Sequence, residues 1–471
     1  MQLDRLVGEL DVVEVAGPVE GVELTSVTHD SRQAVPGTLF CCLPGRRSDG
    51  HRHAVEAVSR GAVAILCERT LDVAATQVLV ADARLQMGRA AAAFWGHPSR
   101  RLEVVGVTGT NGKTTTTWLL RAILETAGRP TGIIGTLAGA LTTPESPDLQ
   151  AALAGMVDRA TVAVAMEVSS HALAQARVEG VHFSVAVFTN LSRDHLDFHR
   201  SMEEYFAVKA RLFEPERAAA AVVNVDDPHG RLLLDTARVP VRSFSLSDVG
   251  DLEVGLEGST GTWRGRRLHL PLGGIANVAN ALAAAGAALE LGVDEGAVVD
   301  GLATAGSVPG RYQLIERGQP FRVVVDYAHT PDALEQLLVA ARVGRTGRVL
   351  VVFGCGGDRD LDKRPLMGRV AATLADIVVV TSDNPRQEDP GAILADVVAG
   401  ASGPGDVRTE LDRRTAIAGA LALAGPGDVV LVAGKGHETV QTIGTSSLSF
   451  DDREVVAEEL AALGFDHDPD S

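Results

Sequence analysis

The sequence predicts an α/β protein of three domains, and three observations carry that reading. Short apolar runs, each followed by polar and charged residues, recur in two separate stretches of the chain. Alanine-rich helical segments end at two points of glycine and proline punctuation, 96–101 and 306–311. The loop Thr108-Gly109-Thr110-Asn111-Gly112-Lys113-Thr114-Thr115 stands between a strand pattern and a helix pattern. Runs that are apolar on both faces fit strands covered by helices on either side, as in parallel sheets.

Bulk properties bound the reading. A chain of 471 residues has length for about three domains. Its 45% hydrophobic and 22% charged content is that of a soluble globular protein, and 4% aromatic content leaves the core to Ala, Val and Leu. A formal charge of −18 opposes nucleic acid as the main partner. It leaves room for small anionic substrates, because a pocket can be locally positive on an acidic protein. Residues Met1 to Leu6 lack a secretory pattern, and no apolar run reaches the roughly 18 residues of a membrane span. Cys41, Cys42, Cys67 and Cys355 have no metal-ligand spacing and read as core residues of a reduced, cytoplasmic protein. Neither nucleic acid nor membrane is expected as a partner.

The punctuation points divide the chain into 1–99, 100–308 and 309–471. In the first region, Thr28-His29-Asp30-Ser31-Arg32 and Pro44-Gly45-Arg46-Arg47-Ser48-Asp49-Gly50-His51 offer basic residues in turns. These fit a diphosphate or a solvated turn equally well.

In the second region, Leu102 to Val107 is apolar and β-branched, and Leu119, Leu120, Ile123 and Leu124 recur at helical spacing until Gly128 and Pro130. Between them, glycines let backbone N–H groups approach a phosphate, and the helix N-terminus adds positive charge. Lys113 can neutralise β/γ oxygens and the Thr114 hydroxyl can ligate Mg²⁺. The usual spacing puts a glycine five residues before Gly112, where this chain has Val107. The loop predicts binding of a nucleoside triphosphate.

Later strands carry the remaining chemistry. Val162 to Met166 ends in Glu167-Val168-Ser169-Ser170-His171, and Val185 to Phe188 leads to Arg193-Asp194-His195-Leu196-Asp197-Phe198-His199. Glu167 and His195, following strands that would neighbour the loop, suit a metal bridging phosphates. His199 reads equally as a surface residue. Lys209, on an amphipathic helix, reads by itself as a solvated face residue.

In the third region, Arg322 to Val325 ends in Asp326-Tyr327-Ala328-His329. Val349 to Phe353 ends in Gly354-Cys355-Gly356-Gly357-Asp358-Arg359. Ile377 to Val380 leads to Asp383-Asn384-Pro385-Arg386, and Val429 to Val432 to Gly434-Lys435-Gly436-His437-Glu438. Arginine forks grip carboxylates, while Asp and Glu accept from ammonium groups, so the set suits a zwitterionic amino acid. Structural ion pairing between the loops is the rival reading. Open α/β sheets bind ligands at strand carboxyl ends, so the active site is expected in a cleft between two facing sheet domains.

These motifs, in this order from Asp30-Ser31-Arg32 to Phe450-Asp451-Asp452-Arg453, resemble the Mur ligases over nearly the whole chain. The resemblance implies a small α/β N-terminal domain that binds UDP-MurNAc-dipeptide. A central P-loop parallel-sheet ATPase domain and a C-terminal Rossmann-like domain that binds the amino acid follow it. It implies an ATP-dependent amide ligase of cytoplasmic peptidoglycan synthesis. ATP phosphorylates the free D-Glu carboxylate of UDP-MurNAc-L-Ala-D-Glu, and an incoming amine displaces phosphate. By similarity, Gly109, Thr110, Asn111, Gly112, Lys113, Thr114, Thr115, Asn280, Arg311 and Asp326 would hold ATP. Thr114, Glu167, His195 and Lys209 would serve Mg²⁺, Lys209 as a carbamylated lysine (N6-carboxylysine). Ser31, Thr142, Thr143, Ser169, Gln175 and Arg177 would hold the nucleotide-sugar dipeptide. Arg359, Asp383, Asn384, Pro385, Arg386, Gly434 and Glu438 would line the acceptor site, with Arg386 matching the branch that selects meso-diaminopimelate.

The alternatives are the same ligase taking L-lysine or another diamino acid, the sister ligase adding D-Ala-D-Ala, and a folylpolyglutamate-type amide ligase. Outside that chemistry stand a non-catalytic nucleotide-binding partner and a GTPase-like switch. A monomer is expected. Two segments differ from the family pattern: Gly135 to Leu141 is shorter, and Ile275-Ala276 replace a Phe or similar residue before Asn277.

Overall fold

The computed structural model describes residues 1–466 apart from 46–47, 140 and 344–345. Its first sheet contains β1 (Val12–Ala16), β2 (Ser26–Thr28), β3 (Thr38–Cys41), β4 (Ala62–Cys67) and β5 (Thr76–Val80). Their order is β1-β5-β4-β3-β2, with β1 antiparallel to β5 and the other pairs parallel. Strand alternation sorts the side chains. Leu39 and Cys41 pack towards helix Ala83–Phe94, while Phe40 and Cys42 pack towards helix Ala54–Ser59. All four cysteines of the chain are free and buried, as their apolar settings predict.

The central sheet is built from β6 (Glu103–Thr108), β7 (Thr131–Ile134), β8 (Ala163–Glu167), β9 (Phe183–Phe188), β10 (Ala218–Asn224) and β11 (Val241–Phe244). All pairs are parallel, in the order β11-β10-β9-β6-β8-β7. Strand order reverses at β6, so the crevice beyond its carboxyl end is the topological switch point, where such sheets bind ligands. The predicted run 162–166 is β8 shifted by one residue, and 185–188 is the end of β9.

Alanines let helices approach closely on one face of this sheet. Ala281, Ala284, Ala285 and Ala288 of helix Ile275–Glu290 are buried in the same core as Leu119, Leu120 and Ile123 of helix Lys113–Thr126. A Cβ on Gly301 would lie 2.5 Å from the Ile123 Cα, so helix Glu295–Ala303 packs there backbone to backbone. An antiparallel meander, β12 (Val249–Val254), β13 (Ser259–Trp263) and β14 (Arg266–Leu270), adds Trp263, Leu268 and Leu270 to this core. Sequence reasoning missed it, because its strands are short and rich in polar residues.

The third sheet contains β15 (Gln313–Leu314), β16 (Arg322–Asp326), β17 (Val349–Phe353), β18 (Ile377–Val380), β19 (Asp406–Thr409) and β20 (Val429–Ala433). Its order is β15-β16-β20-β17-β18-β19, and only β15 is antiparallel among the described strands. The hairpin β21 (Val440–Ile443) and β22 (Ser446–Ser449) follows. Among the described residues, no helix is long and apolar enough to cross a membrane.

A buried ion pair holds the carboxyl ends of this last sheet. Arg413 and Asp452 begin two neighbouring helices, and both side chains are fully buried. The guanidinium donates to Asp452 at 2.8 and 2.7 Å, to the Ser382 carbonyl at 3.3 Å and to the Ala433 carbonyl at 2.9 Å. Asp452→Ala would leave a buried charge uncompensated, and is expected to cost about 3–5 kcal/mol in chemical denaturation. A loss under about 1 kcal/mol would show that the carbonyls alone satisfy Arg413.

Candidate active site

The phosphate loop begins where β6 ends. Val107, at the position where the usual pattern has glycine, is a buried strand residue paired with Glu167 and Val187. The turn is made instead by Gly109 and Gly112, with φ of 148° and 88°. Side chains at these positions would meet Thr189 Oγ1 at 1.9 Å and Asn280 Oδ1 at 2.2 Å. The N–H groups of the first turn of helix Lys113–Thr126 have no intrahelical acceptor and face the cleft. Lys113 Nζ folds back on the loop, donating to the Gly109 and Thr110 carbonyls at 2.9 and 2.8 Å. Burial pushes its pKa down and nearby Glu167 pushes it up, with a net fall.

Glu167, at the end of β8, is 1% exposed. Its carboxylate accepts from Thr114 Oγ1 at 3.0 Å and from the Thr136 N–H at 2.8 Å. A Cβ on Gly135 would lie 2.4 Å from its Oε1. Among the described residues this carboxylate forms no ion pair. His195, in the loop after β9, lines the same cleft at φ 56°, its Nε2 3.3 Å from Asp194. Burial holds its imidazole well below the ordinary pKa, so it is neutral and has a lone pair to give.

Among the described residues, no three His, Cys, Asp or Glu side chains group as a metal cage. Thr114, Glu167 and His195 fit Mg²⁺, which keeps several waters and takes one or two carboxylates together with substrate phosphates.

Two side chains that could have been solvated, Lys209 and His199, are buried. Lys209 is 1% exposed and does not lie on a solvated helix face. Its Nζ donates to the Gly109 carbonyl at 2.8 Å and sits 4.6 Å from the Tyr205 ring centre. Burial, aided by Lys113, drives its pKa well down. His199 is also buried, its Nε2 3.0 Å from the Ser170 hydroxyl, and is no surface residue. In both cases tertiary packing covers a helix or turn whose local pattern is polar.

The loop opens into a cleft of about 440 Å³ between the central and third sheets. Gly274, Ile275, Ala276, Asn277 and Asn280 line one wall. Arg311, Tyr312, Asp326, Tyr327, His329 and Asp332 line the other. Arg311 donates to Thr114 Oγ1 at 3.3 Å, lies 4.1 Å from the Tyr327 ring centre, and keeps Nη1 buried without a partner among the described residues. Such an orphaned donor suits an anion. Asp326 accepts from the Tyr312 and Ala328 N–H groups at 2.6 and 2.7 Å. Asn111 of the phosphate loop donates to Asp332 of the third domain at 3.0 Å. Asn277 and Asp332 carried no sequence motif of their own. Tyr327 and His329 stood inside the D-Y-A-H run without a role.

The third domain assembles the expected acceptor residues. Asn384 Nδ2 donates to Glu438 at 2.7 Å, and its Oδ1 accepts from the Thr442 N–H at 2.8 Å. Pro385 is buried beside it, and a Cβ on Gly434 would lie 2.6 Å from Asp383 Oδ2. Burial, with Asp383 nearby, raises the pKa of Glu438. Arg386 has φ 54° and donates to the Gly357 carbonyl at 2.6 Å, and Arg359 is exposed. Among the described residues neither arginine forms an ion pair, whereas Lys435 pairs with Glu438 at 3.4 Å, so structural pairing accounts for part of this set. Tyr327 joins this site to the cleft, its ring 5.1 Å from that of His437.

Five of the six expected nucleotide-sugar residues cluster beside Glu167. Thr143 Oγ1 donates to the Glu167 carbonyl at 2.9 Å and accepts from the Ser169 N–H at 3.2 Å. Thr142 Oγ1 lies 3.1 Å from Thr136 Oγ1. Arg177 donates to Gln175 Oε1 at 2.7 Å and pairs with Glu145 at 2.9 Å. Arg84 of the first domain, which carried no motif, reaches Glu145 at 3.3 Å. Ser31 stands apart in the first domain, donating to Glu56 at 2.8 Å. Arg46 and Arg47 of the diphosphate loop, and Ala140 of the shortened segment, lie outside the described residues.

Known proteins share this arrangement. Models of the Mur ligase middle domain, the Mur ligase glutamate ligase domain and the Mur ligase catalytic domain match residues 107–288, 310–436 and 23–96. The UDP-N-acetylmuramoyl-L-alanyl-D-glutamate–2,6-diaminopimelate ligase of Syntrophomonas wolfei is 44% identical over 490 residues, covering 98% of this chain and 99% of that protein. The chain belongs to the Mur ligase family. The Streptomyces coelicolor protein of the same name is 46% identical over 481 residues, with 96% and 95% covered. A solved structure of an enzyme of that name superposes with a TM-score of 0.68 at 34% identity, covering 96% of this chain and 98% of the other.

In this Mur ligase the glycine at 112 is a steric requirement. Gly112→Ala would strain a positive φ and push a methyl group into Asn280, so nucleotide affinity is expected to fall by more than about tenfold in calorimetric titration. Unchanged affinity would show that the loop can relax away from Asn280.

Proposed function

We propose that this chain is an ATP-dependent ligase that adds meso-diaminopimelate to the D-Glu of UDP-MurNAc-L-Ala-D-Glu. The observation that carries the proposal is a cleft with the phosphate loop on one wall and Arg311, Asp326 and Tyr327 of the third domain on the other. Tyr327 also touches His437, which lies in the strand-end loop that carries Gly434 and Glu438. The names of the relatives support the same substrates.

In this reading, residues 1–99 bind the nucleotide sugar, 100–308 bind ATP and 309–471 bind the amino acid. Gly109 to Thr115, Asn280, Arg311 and Asp326 hold ATP. Lys113 and the orphaned Nη1 of Arg311 draw charge from its terminal phosphate. Thr142, Thr143, Ser169, Gln175 and Arg177, with Ser31 from the first domain, orient the dipeptide so that its side-chain carboxylate faces that phosphate. The carboxylate oxygen attacks the γ-phosphorus, ADP leaves, and an acyl phosphate forms. Arg359 and Arg386 grip carboxylates of diaminopimelate, while Asp383, Asn384 and Glu438 accept from ammonium. The reacting amine, having lost a proton, adds to the acyl carbon. Phosphate then leaves and the amide remains. Closing the two walls keeps water from the acyl phosphate.

Thr114, Glu167 and His195 would hold Mg²⁺, which when bound neutralises β- and γ-phosphate oxygens. Lys209 is the residue we assign to carbamylation. Burial favours its neutral amine, which can attack CO₂, lose a proton and become a carboxylate able to face a cation. A single chain supplies every part of the site, in keeping with a monomer. We assign the reaction to the cytoplasm, where ATP is supplied, and expect neither nucleic acid nor membrane as partner.

Incubation with ATP, UDP-MurNAc-L-Ala-D-Glu and equal amounts of L-lysine and meso-diaminopimelate tests the proposal. Mass spectrometry is expected to find the diaminopimelate amide as the main product, and a lysine amide in its place would overturn the acceptor assignment. Arg386→Ala is expected to weaken diaminopimelate use by about 2–4 kcal/mol, because the far carboxylate loses its partner. An unchanged KM for diaminopimelate would remove Arg386 from the site.

A further inference from the structure

The cleft is crossed by an ion pair that the reaction as proposed does not use. Arg193, two residues before His195 on the central domain, reaches the loop that carries Arg359. Its Nε lies 3.4 Å from Asp360 and its Nη2 3.0 Å from Asp362. The pair with Asp362 alone would be a surface contact worth little, since that carboxylate is 80% exposed. Asp360 differs. Its side chain is 8% exposed, and its other oxygen accepts the Asp362 N–H at 3.0 Å. One carboxylate therefore stiffens its own loop and ties that loop to the other domain.

Arg359 is next in sequence to Asp360, so the tie to the central domain falls on the loop that carries it.

We propose that Arg193 is a positioning residue: by clasping Asp360 and Asp362 it holds Arg359 over the central domain, so that the acceptor amine reaches the acyl phosphate before water does. This rests on the ligase reading above. Without the clasp the acceptor loop would stand off, and the acyl phosphate would be open to hydrolysis. Water oxygen would then add to the acyl carbon and phosphate would leave, regenerating the D-Glu carboxylate. ADP would be released with no amide formed.

The test is the ratio of amide formed to ADP released, measured with KM for ATP and for diaminopimelate. For Arg193→Ala, KM for diaminopimelate is expected to rise about tenfold and the ratio to fall to about half or less, with KM for ATP within about twofold of wild type. Asp360→Asn with Asp362→Asn should reproduce this, the triple variant should be no worse than either, and Arg193→Lys should recover part of the ratio. A purely structural role would lower thermal stability without uncoupling ADP release. The clasp is overturned if Arg193→Ala keeps the wild-type ratio and KM, or if the triple variant shows the product of the separate effects. A wild-type protein that forms no diaminopimelate amide would instead refute the ligase reading itself.

Discussion

Glu167 is a carboxylate buried at the end of a central strand with no cation paired to it among the described residues, and the rest of the site is arranged around that fact. Burying such a charge is costly unless hydrogen bonds or a metal compensate it. Here the Thr114 hydroxyl and the Thr136 N–H donate to it, and Gly135 leaves the room for its oxygen. The same hydroxyl of Thr114 receives Arg311 from the third domain. One buried charge thus links the phosphate loop, the strand end beside it and the opposite wall. Its stabilisation is incomplete in the protein alone, which suits a site completed by a phosphate-bound cation.

Parallel sheets make that geometry available twice. In both, helices cover the faces and leave the carboxyl ends of the strands as the places where backbone turns can present polar groups. Because β6 lies between β8 and β9, Glu167, Asn190 and His195 come from both sides onto one loop. In the third sheet, β17, β18 and β20 are adjacent, which brings Arg359, Asp383 and Gly434 to one edge. Arg413 beneath them fixes the strand ends by binding their carbonyls.

Charge distribution completes the picture. A protein with a formal charge of −18 sets Lys113 and Arg311 in one cleft, with Lys209 behind the phosphate loop on the Gly109 carbonyl. Low dielectric walls strengthen the field of these groups on anionic ligands. Burial also shifts protonation in useful directions: His195 is held neutral, and Lys209 is driven towards its neutral amine. The local field, and not the net charge, decides what the cleft can hold.

The amino-acid sequence alone determined the α/β class, the phosphate loop and the order of the chemistry-bearing strand ends. Periodicity and glycine placement are local properties, and runs such as 349–353 and 377–380 became β17 and β18 unchanged. The meander β12–β14 escaped, because its polar strands gain their apolar face only in the tertiary structure, where β14 packs on helix Glu295–Ala303. The segments around Lys209 and His199 left the placement of both open, since burial depends on what packs above a residue. Arg84, Asn277, Asp332 and the Arg193 clasp belong to the tertiary structure entirely. Arg84, Asp332 and Arg193 act through partners distant in sequence, and no local pattern encodes which domain will face them.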